Sequence, residues 1–281
     1  MPPVHAPPYA RVILEHLRGG DFDLSRLFGR HIHWGWWERA QDGDGTLPDF
    51  EAAADRMCHR LFEAGGLRDG MSVLDAGCGF GGTTAALDAR FQGVSLTGLN
   101  IDAGQLERAR EQVRASPGNT VSFVEGDACA MPFPDASFDA VLAVECIFHF
   151  PDRQRFFEEA RRVLRPGGRL IVSDFVPRRA FAPVLAAQDV LFGAYQRRIS
   201  GHVDIRYPLE RYRALARRTG FAPLAEQDIT ANTLPTYTVV RRLMTRRFGT
   251  QAALSLSGLL TLELVTRLGL LRYMILSYSR H

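Results

Sequence analysis

The chain of 281 residues contains no lysine, so all 34 of its Lys-plus-Arg positions are arginine. Its net charge is only +3, and the arginine pairs are scattered (Arg161-Arg162, Arg178-Arg179, Arg217-Arg218, Arg241-Arg242) instead of gathered into one stretch. Composition therefore gives no electrostatic reason for a polyanionic partner, and no nucleic-acid face is expected. Cysteine is scarce too. Cys58, Cys78, Cys129 and Cys146 form no C-x-x-C pair and no zinc-like spacing with histidine. They read as reduced thiols, so neither a disulfide framework nor a metal site is expected. Long apolar runs are also missing. The longest, Ala252 to Leu271, is interrupted by Glu263 and Arg267, which argues against a membrane span. Met1-Pro2-Pro3-Val4-His5 lacks an apolar signal-peptide region, so a cytoplasmic location is expected.

What is present is the composition of an ordinary globular chain, 46% apolar and 23% charged, long enough to bury a large core without covalent staples. Short apolar runs alternate with helical patterns, as in a doubly wound α/β sheet. Strands are predicted at 72–75, 94–99, 121–126, 140–144 and 170–174, with a sixth at 226–230 and a last at 272–279. Asp102 followed by Gln105 opens a helix as a capping box. Phe156, Phe157, Ala160, Val163 and Leu164 share one face of another, which Arg165-Pro166-Gly167-Gly168 terminates. Further helices are expected over 180–199, 209–219 and 232–268. The expected organisation is an N-terminal helical and aromatic segment (1–66), a core (67–231), an inserted helical lid (232–268) and a closing core strand (269–281).

Asp75-Ala76-Gly77-Cys78-Gly79-Phe80-Gly81-Gly82 follows the first strand and opens a helix at Thr83. Glycines there let the backbone approach a ligand closely beside helix N–H groups. Alone, Gly77, Gly79 and Gly82 also satisfy the dinucleotide fingerprint. Three further features select between the ligands. Asp75 ends the strand, Glu125-Gly126-Asp127-Ala128 follows the third strand, and Phe138-Asp139-Ala140-Val141 leads to Leu164-Arg165-Pro166-Gly167-Gly168. In this order, from about Ser72 to Phe175, the chain resembles the class I S-adenosylmethionine (SAM)-dependent methyltransferases. The resemblance implies a Rossmann-like α/β fold, a seven-stranded mostly parallel sheet with helices on both faces. It also implies roles. Gly77 and Gly79 would cradle the methionine moiety, and Asp75 would meet its amino group. Asp127 and the Ala128 backbone would hold the adenine edge. Asn100, where relatives usually carry an acidic residue, would reach the ribose hydroxyls without a charge-assisted acceptor.

Glu145-Cys146-Ile147-Phe148-His149-Phe150-Pro151-Asp152 follows the fourth strand, where ligands of such sheets bind. Glu145, His149, Pro151 and Asp152 resemble the subgroup with tocopherol, sterol, quinone and sugar methyltransferases, and Phe148 departs from it where relatives carry a second polar residue. His149 is the general-base candidate, with a reference pKa suited to neutral pH, and Glu145 a second catalytic candidate. His31-Ile32-His33-Trp34-Gly35-Trp36-Trp37 resembles the aromatic stretch that covers the donor in those relatives, with Trp36 at the covering position. The expected activity is methyl transfer from SAM to a small, lipophilic, natural-product-like acceptor at oxygen or carbon. Three alternatives stay open: an isoprenoid alkene C-methyltransferase with Trp36, Trp37 and Phe148 shielding a cation, a NAD-dependent oxidoreductase, and a SAM-binding protein without turnover.

Overall fold

The computed structural model describes residues 7–181, 183–185, 201–248 and 253–281. Its centre is a sheet of seven strands: β1 (Ser72–Ala76), β2 (Ser95–Asn100), β3 (Thr120–Glu125), β4 (Phe138–Val144), β5 (Leu164–Pro177), β6 (Phe221–Asp228) and β7 (Leu271–Arg280). Their order is β3-β2-β1-β4-β5-β7-β6. Only β7 runs antiparallel to its neighbours. Strand order reverses between β1 and β4, which opens a crevice at their carboxyl ends.

Alternation along the central strands sends side chains to two cores. Leu74, Val141, Ala143, Leu170 and Val172 face one cluster with Phe156, Phe157, Tyr212 and Leu215. Val73, Ala140, Leu142 and Ile171 face the other, with Met57, Leu61, Phe62 and Leu87. The first is covered by α6 (Arg153–Val163) and α7 (Leu209–Arg218), the second by α3 (Leu47–Gly65) and α4 (Gly82–Arg90). Strands buried on both faces need near-continuous apolar runs, which is why these segments are so legible in the sequence.

Local chemistry sets the helix ends. Thr46 caps α3 by accepting the Asp49 N–H, and Gly66 ends it in the left-handed region at φ 62°. Asp102 caps α5 (Ala103–Gln112) by accepting the Gln105 N–H at 2.9 Å. The reciprocal half of the expected capping box gives way to another bond, because the Gln105 side chain accepts instead from Asn100. Two strands differ from expectation. β5 starts at Leu164 and includes the Arg165–Gly168 stretch. β6 covers 221–228, not 226–230. Pro223 disguises it in the sequence, and the edge position with an irregularity between Pro223 and Ala225 accommodates the missing donor. Most of the helix expected over 180–199 lies outside the described residues.

A smaller third core joins α1 (Pro8–Arg18), α2 (Phe22–Phe28) and α3 through Leu14, Leu17, Leu24, Leu27, Trp37 and Phe50. The insertion between β6 and β7 forms α8 (Pro235–Phe248) and α9 (Ala253–Arg267). Val239 and Leu243 of α8 enter that third core. Tyr237 bonds Thr266 at 2.8 Å, and Glu263 pairs with both Arg241 and Arg267, tying the two helices together.

Candidate active site

At the crevice, β1 delivers its last residues into the glycine loop. Gly77, Gly79 and Gly81 have φ of 79°, 56° and 83°, a region that costs other residues about 1–2 kcal/mol. Space matters as much as torsion at Gly77. An added Cβ would lie 2.8 Å from both Cβ and Sγ of Cys146. The loop is fixed by Gly77 and Cys78 N–H groups donating to the Leu99 carbonyl at 2.7 and 3.0 Å. It borders a cavity lined by Asp75, Gly77, Gly79, Asn100, Gln105, Glu145, Cys146, His149 and Phe150, with Pro7, Tyr9 and Ala10 of the N-terminal end across from them.

Asp75 is buried and accepts the Thr84 hydroxyl at 2.8 Å. Burial pushes its carboxyl up to about 6, against the Thr84 bonds, which pull it down. Among the described residues no cationic side chain pairs with it. A buried carboxylate in that condition is costly unless a ligand brings the positive charge. Asn100, at the end of β2, donates to Gln105 Oε1 at 3.1 Å and accepts the Asp102 N–H at 3.3 Å. Asp127 and Ala128 follow β3 next to this point, since Gly126 N–H donates to the Asn100 carbonyl. Asp127 Oδ1 accepts the Cys129 N–H at 2.8 Å, which shapes the turn, and Ala128 is buried in the first core. Neither lines the cavity.

Glu145 directly follows β4 with φ 47°, unusual for a residue with a side chain and a mark of local constraint. Its buried Oε1 accepts the Trp34 N–H at 2.6 Å and the Tyr273 hydroxyl. Burial pushes the carboxyl up to about 8, so it holds its proton at neutral pH, while those two donors and the nearby Asp174 are secondary influences.

His149 follows one turn later. Its Nδ1 lies 2.7 Å from the His202 carbonyl and its Nε2 3.0 Å from the Tyr9 hydroxyl. A carbonyl only accepts, so Nδ1 carries the proton and Nε2 presents a lone pair to which Tyr9 donates. Burial lowers the ring pKa to about 4. The imidazole is therefore neutral through the physiological range, and an activity profile rising near pH 6.5 is not expected of it. The His202 carbonyl is held by a buried network. Asp204 N–H donates to the Phe148 carbonyl at 2.8 Å. Arg153 clamps Asp204 at 3.1 Å and Asp174 at 3.3 Å, and Tyr212 also bonds Asp174.

Sequence reasoning missed Tyr9, Tyr273 and Arg153. Each meets its partner across more than a hundred residues or across a loop, with no local motif to mark it. Other residues singled out in the sequence lie apart from the cavity lining. Trp36 does not line the cavity. Its N–H donates to Ala53, its ring lies under the Arg60 guanidinium at 5.2 Å, and its Nε1 is buried without a partner. That fixes it against α3 and the second core. Trp37 is likewise core, its Nε1 donating to Asp49 at 2.8 Å. Asp152 is the N-cap of α6, accepting the Arg155 N–H at 3.0 Å. Among the described residues, none from 232–268 lines the cavity. The insertion instead holds the aromatic segment, through Thr236 to Gly35 N–H, Asn232 to Trp37, and Tyr237 edge-on to Trp34 at 4.3 Å.

A family model described as a methyltransferase domain matches residues 74–172. The 27-O-demethylrifamycin SV methyltransferase of Amycolatopsis mediterranei (strain S699) is 36% identical over 216 residues, covering 76% of this chain and 75% of that protein. Methyltransferase GfsG of Streptomyces halstedii is 35% identical over 215 residues, covering 76% and 73%. The solved geranyl diphosphate C-methyltransferase of Streptomyces coelicolor A3(2) shares the fold, with a TM-score of 0.73 at 18% identity over 99% of this chain and 100% of that one.

Proposed function

The chain belongs to the SAM-dependent methyltransferases of small molecules, and we propose that within that family it methylates a hydroxyl of a lipophilic, natural-product-like acceptor, with His149 receiving the proton. The residues at the crevice fit SAM. Positive-φ glycines leave room for its backbone-proximal part, and Asp75 is a buried carboxylate awaiting a cation such as its amino group. Asn100, with Asp127 and Ala128 behind it, would meet the ribose and adenine. When bound, SAM supplies a methyl group already activated on a sulfonium, so alignment of the acceptor carries most of the rate.

The observation that carries the proposal is the fixed tautomer of His149. His202 takes the Nδ1 proton, which leaves the Nε2 lone pair directed at a hydroxyl. Tyr9 now occupies the place an acceptor hydroxyl would take. A hydroxyl seated there is oriented with its oxygen free for attack and its proton toward a base. The first relative supports oxygen as the acceptor atom, since its name specifies an O-demethylated substrate. Lipophilicity is supported by the apolar wall of Ile32, Val144 and Phe150.

Alkene C-methylation is the weaker reading. It requires aromatic rings and a carboxylate around a developing cation. Trp36 and Trp37 are committed elsewhere, and Glu145 is neutral at pH 7. The test is a screen of hydroxylated lipophilic acceptors with labelled SAM, followed by His149→Ala on the best one. kcat should fall by roughly 10²- to 10⁴-fold with donor affinity unchanged, while Tyr9→Phe keeps kcat within about threefold. A His149→Ala enzyme within about threefold of wild type would remove the base from the mechanism. Turnover of alkenes but of no hydroxyl would replace the O-methylation reading altogether.

A further inference from the structure

At one wall of the donor cavity three chemistry-bearing side chains converge that the proposed reaction does not use. His31, His33 and Cys58 are buried, and their ligand atoms all lie within 4.8 Å of one another. They come from two places, the segment before α3 and the middle of α3 itself, so no sequence spacing announces them. Cys58 Sγ is 3.8 Å from His31 Nδ1 and 3.4 Å from His33 Nε2. A tetrahedral ion with Zn–S near 2.3 Å and Zn–N near 2.05 Å would set each such sulfur–nitrogen separation at about 3.6 Å.

The outer contacts decide which atoms are free. His31 Nε2 lies 2.9 Å from Asp55 Oδ1. A carboxylate accepts, so His31 Nε2 is protonated and Nδ1 is a lone pair. His33 Nδ1 lies 3.0 Å from the Trp34 carbonyl, so it too is protonated and Nε2 is a lone pair. Metal-binding histidines carry this arrangement, one ring nitrogen to the ion and the other to a carboxylate or carbonyl. Without an ion, the two buried ring lone pairs face a single thiol proton. One S–H satisfies one of them.

We propose that His31, His33 and Cys58 form a site for a divalent transition ion of the zinc type. Binding forms one metal–sulfur bond and releases the thiol proton to solvent. The resulting thiolate and the Asp55 carboxylate together balance a dication, with Arg30 and Asp75 the other charged groups near the sulfur. Two imidazoles and a thiolate are donors that zinc takes readily and magnesium or calcium does not. The ion fastens residues 31–33 to α3. Because His31, His33 and Thr83 also line the donor cavity, the site acts as a structural clasp for one of its walls.

The test uses the full chain without a polyhistidine tag, stripped with a chelator and titrated with Zn²⁺ and separately with Co²⁺. One ion should bind per chain with release of about one proton. Co²⁺ should give a thiolate charge-transfer band and tetrahedral visible absorption. Zn²⁺ at about a hundredfold over its Kd should raise the thermal midpoint by on the order of 5 °C. His33→Gln should weaken binding at least tenfold, and Cys58→Ser should remove the charge-transfer band. If either variant fails to fold, the wild-type cobalt spectrum decides. A folded wild type with no thiolate–cobalt band, or zinc affinity unchanged in folded His33→Gln, overturns the proposal and leaves surface histidine binding only.

Discussion

The pH dependence of donor binding offers a sharp test of how the buried carboxylate works. Asp75 titrates at about 6 because it is buried without a cation. A ligand ammonium binds its ionised form, so affinity follows the ionised fraction. That fraction is about 0.09 at pH 5 and about 0.9 at pH 7, a tenfold change worth about 1.4 kcal/mol. An ordinary aspartate, with a pKa near 3.9, would give less than about a tenth of that change over the same range. The window is free of the other two groups of the site. His149 is lowered to about 4 and Glu145 raised to about 8, so the first stays neutral and the second largely protonated between pH 5 and 7. Isothermal titration with SAM at constant ionic strength measures it directly. Repeating the titration at pH 5.5 in buffers of different ionisation enthalpy should show release of roughly three quarters of a proton. Asp75→Asn should abolish both the slope and the proton release, and should weaken binding at pH 7 by about 1.5–3 kcal/mol, the range for a hydrogen bond to a charged group. Flat wild-type affinity from pH 5 to 7, or an Asp75→Asn protein that binds as tightly as wild type, would refute the reasoning.

Glu145→Gln keeps an oxygen for the Trp34 N–H and the Tyr273 hydroxyl. Because the folded pKa is raised to about 8, the contribution of Glu145 to stability is full below its unfolded pKa near 4.3 and is lost as pH rises through about 8. Chemical denaturation from pH 5 to 9 should therefore show the variant gaining on wild type as pH rises, and a constant difference would contradict the burial argument. Gly77→Ala should destabilise by about 2–4 kcal/mol, left-handed torsion plus overlap with Cys146. Gly79→Ala should cost less, because the nearest atom its new Cβ would meet is the movable end of Ile32, at 3.2 Å; the reverse order would contradict the packing seen at the loop. Asp204→Ala releases one arm of the Arg153 clamp and loosens the His202 carbonyl on His149, so kcat should fall with donor affinity retained. Loss of donor affinity instead would place the clamp on the wrong side of the site.

The sequence by itself determined the sheet and the donor loop. Strands buried on both faces are written as apolar runs, and a loop that must turn left-handed against a neighbouring strand is written in glycine. Asp75 and Asn100 are placed for the same reason, since each lies at the end of a strand where topology brings it to the crevice, while Asp127 lies two residues beyond β3 and outside the cavity lining. The acceptor side was legible only as a list of residue types. His149 looked like an imidazole of ordinary pKa until burial and the His202 carbonyl fixed its tautomer and lowered its titration. Trp36 matched a covering position, and only the structure shows its ring packed on the second core beneath Arg60. The insertion at 232–268 read as a lid over the acceptor; that its described residues hold the aromatic segment was not legible in the sequence. Tertiary structure alone sets such surroundings. Burial, hydrogen-bond direction and the facing of a ring depend on partners distant in the chain: Tyr9 meets His149, Trp34 meets Glu145, and Cys58 meets His31 and His33 only once the N-terminal segment has folded back onto α3 and the ends of β1 and β4.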